Sequence, residues 1–262
     1  MWSKEHKNYI KNNKKKKILI NLIRILIVVV FLITWQALIN LEILNSFILS
    51  SPLNIFKTFI SLIKSNNLIQ HINITLYETL VSFLLATFIG IFVASILWFN
   101  NFVAKIFDPF LTVLNSLPKV SLGPIIIIWF GANTTSIIVM ALLISTMTSI
   151  ISIYQGFKEV SPNKITLMRS LNANKIQIFF KLILPANYSN IISILKINIS
   201  MSLIGVIMGE LLVSKKGIGY LIMYGSQVFN LDLVMTGIIL LAIISVIIYY
   251  LILYLEKKLI KN

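Results

Sequence analysis

The chain is 262 residues long, 58% hydrophobic and 12% charged, with a formal net charge of +15. Charged residues make up about a quarter of an ordinary soluble domain, so this composition excludes one and indicates a polytopic membrane protein. Cysteine is absent, which excludes disulfides, thiolate ligands and a cysteine nucleophile and says nothing about compartment.

Residues 1–17 form a basic tail with seven lysines, expected to be disordered except where it meets the membrane. The apolar run that follows is longer than a signal-peptide core and lacks a small-residue cleavage site, so it reads as an uncleaved first span. Six runs are long enough to cross a hydrocarbon core of about 30 Å: 18–41, 76–99, 107–130, 135–156, 190–213 and 232–255. Between the first two, Ser51 and Pro52 start a short amphipathic helix ending near Lys64. The second span carries Ser82, Ala86, Gly90 and Ala94 at four-residue spacing, a smooth stripe for close helix packing, expected within the chain in preference to a subunit interface. Pro109, Pro118, Gly123 and Pro124 interrupt the third. Broken backbone is tolerated at membrane depth only beside protein or water, so this span is expected to border a cavity or a subunit interface.

Lys119 lies among those breaks, where an ionised lysine costs about 2.5–3.5 kcal/mol unless it faces water or a partner. It reads either as an anion-attracting group beside a pathway or as a structural pair or helix-break cap. In the fifth span, Asn198 and Ser202 share a face with Gly205 and Gly209 and offer either a polar lining or interhelical hydrogen bonds. Lys196 and Glu210 near the ends of that span are expected to snorkel to the two interfaces. Pathway candidates are thus Lys119, Asn198, Ser202 and Glu210.

Seven lysines precede residue 18, five cations fall in 157–184 and three follow Glu256. An even number of spans places all three groups on one face, the cytoplasmic one by the positive-inside rule. Attraction to anionic lipid accounts for this charge better than nucleic-acid binding does. The organisation expected is a cytoplasmic tail 1–17, one membrane domain 18–256 with a loop at 157–189, and a cytoplasmic tail 257–262.

That loop carries capped structure. Ser161 and Pro162 start a helix that Asn172 can end in a left-handed conformation. Asn174 then caps a second helix with Ile176, Phe179, Phe180 and Ile183 on one face and Pro185 at its end. No Gx4GK[ST] phosphate loop and no HExxH occurs. His6 and His71 are too far apart for a metal pair and read as solvated loop residues.

Three stretches carry a family resemblance. Leu182-Ile183-Leu184-Pro185, with Leu171, Ala173, Lys175 and Gln177, is similar to the coupling loop of ABC-importer permeases of the nitrate, sulfonate and taurine branch. Thr166-Leu167-Met168 stands where that family has Glu-Ala-Ala, and Asn172 where it has glycine; asparagine is the next residue able to adopt that turn. Ser116-Leu117-Pro118-Lys119-Val120-Ser121-Leu122-Gly123-Pro124 with Trp129-Phe130-Gly131, and Gly209-Glu210 with Lys216-Gly217-Ile218-Gly219-Tyr220, resemble the same branch in the same order.

The resemblance implies an all-α polytopic membrane protein with six transmembrane helices and a cytoplasmic helical coupling loop, the type I importer permease fold. It implies a second permease copy, an extracytoplasmic substrate-binding protein, and ATPase subunits that bind the ATP, with no cofactor in this chain and no enzymatic activity of its own. The ATPase-coupling residues would be Arg169, Leu171, Asn172, Ala173, Lys175, Ile176, Phe179, Phe180 and Pro185. The expected substrate is a small anion such as a sulfonate or nitrate, or a thiamine-precursor-like molecule. A self-contained secondary transporter or channel is the alternative, and it would need an intramembrane charge relay that the chain lacks.

Overall fold

Long apolar runs can satisfy their backbone in hydrocarbon only as helices. The computed structural model, which describes residues 4–65 and 67–260, is helical apart from short turns. Among the described residues, five helices are long and apolar enough to cross a membrane. They are α1 (Lys4–Asn40, apolar from Asn13), α4 (Asn67–Phe99), α7 (Thr134–Lys158), α11 (Tyr188–Val213) and α13 (Leu231–Ile260). Between α1 and α4 lie α2 (Ser46–Leu49) and α3 (Pro52–Lys64), and the Ser51 hydroxyl caps α3 by accepting from Asn54 N at 3.1 Å.

The third crossing is broken. Helix α5 (Asn101–Ser116) and the segment Lys119–Phe130, a tight turn followed by α6 (Gly123–Phe130), meet at 87°. Pro118 causes the bend: the residue before a proline is driven out of the helical region, and Leu117 is extended at φ −63°, ψ 140°. The other predicted breaks act differently, since α5 runs through Pro109 and Pro124 occupies the first turn of α6. Helix α4 ends beside the 157–189 loop and α7 begins at the opposite end of the bundle, so the broken pair completes a crossing and keeps six.

The centre is the trio α4, α7 and α11. Ser82, Ala86, Gly90 and Ala94 of α4 are all buried, and Gly90 lies against Ser149 of α7. A Cβ at Gly209 of α11 would come within 3.0 Å of Ile137 Cα, and Gly205 meets Ala141. Both small-residue stripes therefore serve packing within the chain, where close backbones gain van der Waals contact.

Two features differ from the sequence reading. Helix α1 begins at Lys4, because a lysine-rich segment propagates readily from an apolar helix already nucleated. Lys196 does not snorkel; its Nζ pairs with Glu256 at 2.7 Å, tying α11 to α13. Residues 1–3 and 261–262 of the two tails lie outside the described residues.

Candidate functional site

The 157–189 loop is built from local signals. Pro162 starts α8 (Pro162–Ser170) in its first turn, although the Ser161 side chain makes no capping bond. Asn172 takes φ +59°, and its neighbour's amide, Ala173 N, reaches back to Met168 O at 3.0 Å, closing the helix. A capping box of Asn174 and Gln177 then starts α9 (Lys175–Ile178), with Gln177 N donating to Asn174 Oδ1 at 2.8 Å and Asn174 N to Gln177 Oε1 at 2.9 Å.

Beyond α9 the helix widens. Phe179–Ile183 forms one π turn, closed by Leu184 N on Phe179 O, before α10 (Leu184–Ala186). Pro185 lacks the N–H that an ordinary turn would give to Lys181 O. It therefore sits inside a helical stretch that ends only at Asn187, correcting its expected place at the helix end.

The wide turn also divides the predicted face. Phe179 and Ile183 are 4% and 0% exposed, packed with Ile178, Ile153 and Phe157, whereas Ile176 and Phe180 are 61% and 58% exposed. Phe179 lies 4.9 Å from the Phe99 ring and 5.5 Å from that of Phe157. Lys175 Nζ donates to the Phe99 carbonyl, the last of α4, a favoured place for a cation. Of the expected coupling residues, Leu171, Asn172, Ile176 and Phe180 are exposed, Arg169 is exposed but borders a cavity between the loop and the end of α4, Phe179 anchors the loop and Ala173 is half-buried.

Leu167 was not among the expected coupling residues. It is 61% exposed, and with Leu171 (69%), four residues on, Ile176 and Phe180 it is one of four large apolar side chains that the loop leaves exposed.

A second cluster lies at the opposite end. The Glu210 carboxylate, 1% exposed, accepts Thr75 Oγ1 at 2.6 Å and Gly219 N at 2.6 Å. Gly217, at φ +109°, bends the chain into α12 (Ile218–Gln227), its N–H donating to His71 Nδ1 at 2.9 Å while Ile218 N donates to Thr75 Oγ1. Glu210 is thus a buried tie and not a snorkelling group. His71 is a buried helix residue stacked on Tyr220, not a solvated loop residue; the side chain of His6 lies outside the described residues. Glu78, 0% exposed in the same region, has neither carboxylate oxygen hydrogen-bonded.

The remaining pathway candidates occupy two regions. Asn198 donates to Thr87 Oγ1 at 2.7 Å and Ser202 is fully buried, so with Glu210 they lie inside the protomer, because Gly205 and Gly209 draw their face of α11 onto α7. Lys119 Nζ donates to Asn115 O at 2.8 Å, and so caps the broken end of α5. No group of three His, Cys, Asp or Glu side chains suited to a metal occurs among the described residues.

The described residues thus form an all-α bundle with a broken third crossing and a helical loop with a fixed turn at Asn172 and a capping box at Asn174. Residues 86–261 match the family of the binding-protein-dependent transport system inner membrane component, and the chain belongs to that family. The aliphatic sulfonates transport permease SsuC of Bacillus subtilis (strain 168) is 29% identical over 90% of this chain and 86% of its own length. The taurine transport system permease TauC of Escherichia coli (strain K12) is 24% identical over 82% and 80%. The formylaminopyrimidine transport permease ThiX of Halalkalibacterium halodurans is 26% identical over 66% and 69%. A chain of the inward-facing MetNI methionine ABC transporter superposes with a TM-score of 0.65 at 19% identity, covering 76% of this chain and 96% of that one, a likeness of fold. The chain is therefore a multi-pass permease of an ABC importer, a transport subunit and not an enzyme.

Proposed function

We propose that the 157–189 loop receives a separate ATPase subunit on the surface formed by Leu167, Leu171, Ile176 and Phe180, in a protomer with both termini and this loop in the cytoplasm. The carrying observation is that these four side chains are exposed on turns fixed by Asn172 and the Asn174 capping box, while Phe179 and Lys175 hold the same loop to α4 and α7. A push on the loop then moves spanning helices instead of bending a linker. With no phosphate loop of its own, the chain leaves ATP to its partner.

A second copy would complete the pathway, an extracytoplasmic binding protein would deliver the substrate, and residues 18–256 would act as one membrane domain between the two tails. Relatives named for aliphatic sulfonates and taurine favour a sulfonate-bearing substrate over a thiamine precursor. The test is Leu171→Asp combined with Asn172→Pro, which removes an apolar contact and the left-handed turn together without touching a span. Membrane insertion should persist and substrate-stimulated ATP hydrolysis by the assembled complex should fall to its basal rate. Undiminished stimulation would sink the docking assignment.

A further inference from the structure

We infer that the inner side of the loop, facing away from the docking surface, holds a phosphate-binding site at the rim of the membrane. Two cavities, of about 320 and 440 Å³, adjoin there and share Trp98 and Asn101 as walls. Lys105 and Lys158 line the first, together with Asp108; Arg169 and Lys175 line the second. Four cations thus surround one acid, and none of the four is in an ion pair, Lys196–Glu256 being the single pair among the described residues.

Two of the four cations lie over aromatic rings: Lys158 Nζ is 5.3 Å from the Tyr154 centroid and Lys175 Nζ 5.9 Å from that of Trp98. Trp98 and Tyr154 stand near the ends of α4 and α7, the depth at which amphipathic rings meet headgroups. Four like charges converging on two adjoining cavities repel one another unless an anion enters. Basic pockets between spanning helices at this depth suit phosphate-bearing headgroups, whose oxygens accept several charge-assisted hydrogen bonds at once.

The site would take either the headgroup of an anionic phospholipid or a soluble phosphate. Placing it in the cytoplasmic leaflet rests on the topology proposed above.

The test reconstitutes the full chain in nanodiscs of equal parts phosphatidylglycerol and phosphatidylcholine and counts the lipids retained by native mass spectrometry. Phosphatidylglycerol should be retained preferentially. In Lys105→Gln combined with Lys158→Gln the preference should fall by roughly fivefold per lysine removed. Lys57→Gln with Lys64→Gln, on the opposite face, serves as a charge-matched control and should leave it unchanged.

Displacement of phosphatidylglycerol by excess inorganic phosphate would support a site both sources can fill. Absence of lipid preference together with phosphate-dependent quenching of Trp98, lost in the lysine variant, would support the soluble source. Equal retention of the two lipids without any phosphate effect, or a preference that survives in the lysine variant, would overturn the site. Labelling of Asn101→Cys from outside the cell would instead overturn the topology while leaving the cavity chemistry standing.

Discussion

Phe179 meets Phe157 edge-on, ring centroids 5.5 Å apart at 84°, so the loop is fastened to the last turn of α7 by an aromatic contact that solvent does not reach. Phe180, the next residue, meets the Phe179 ring edge-on at 5.2 Å but is itself 58% exposed. Adjacent phenylalanines therefore separate two tasks, one holding the loop and the other presenting it.

That division gives unlike outcomes for like substitutions. Phe179→Ala removes a buried ring, a change worth about 3–5 kcal/mol in a protein core, and should raise amide hydrogen exchange throughout 162–187 while leaving α4 and α11 protected. Phe180→Ala should leave exchange unchanged and lower only the affinity for the ATPase subunit. Equal exchange in the two variants would contradict the assignment.

The two buried glutamates at the other end should respond in opposite senses. Glu210→Ala strands the Thr75 hydroxyl and the Gly219 N–H, each worth about 1–3 kcal/mol when left unpaired, and should lower the melting temperature of the detergent-solubilised chain; Glu210→Gln, which keeps an acceptor, should lower it less. Glu78→Gln removes a carboxylate without partners and should leave the melting temperature unchanged or raised. A marked fall in Glu78→Gln would mean that its oxygens are engaged after all.

Lys119 is expected to act as a cap. Lys119→Met strands carbonyls at the end of α5 and should reduce assembled complex and uptake in proportion, with Lys119→Arg restoring both. Normal assembly with impaired uptake in the Met variant would favour an anion-attracting role beside the pathway.

The proposed topology is open to direct measurement because the chain has no cysteine. Ser65→Cys and Ser170→Cys, both at exposed positions at opposite ends of the bundle, should react with impermeant maleimide from opposite sides of the membrane. Reaction of both from the same side would dismiss the assignment.

The loop was readable because its turns are local: Pro162, Asn172 and the Asn174–Gln177 box act within a few residues of themselves. The smooth stripes on α4 and α11 were readable for a similar reason, since spacing alone defines a face. What escaped were effects that change the period or span the chain. A π turn at Phe179–Ile183 breaks the 3.6-residue count that grouped Phe179 with Phe180. His71 finds its partner 146 residues away at Gly217, and Glu210 finds Thr75 across 135, relationships that hydropathy cannot encode.

Helix α4 carries His71 and Thr75 at one end and Trp98 and Phe99 at the other, across 33 residues or about 50 Å of continuous helix. The polar tie to Gly217–Gly219 and the aromatic fastening of the loop are therefore two joints on a single strut, and the Gly90–Ser149 contact clamps that strut to α7 midway. Because α4 packs on α7 along its small-residue stripe and not at one point, the two helices join the loop end to the Gly217 end as a single packed pair.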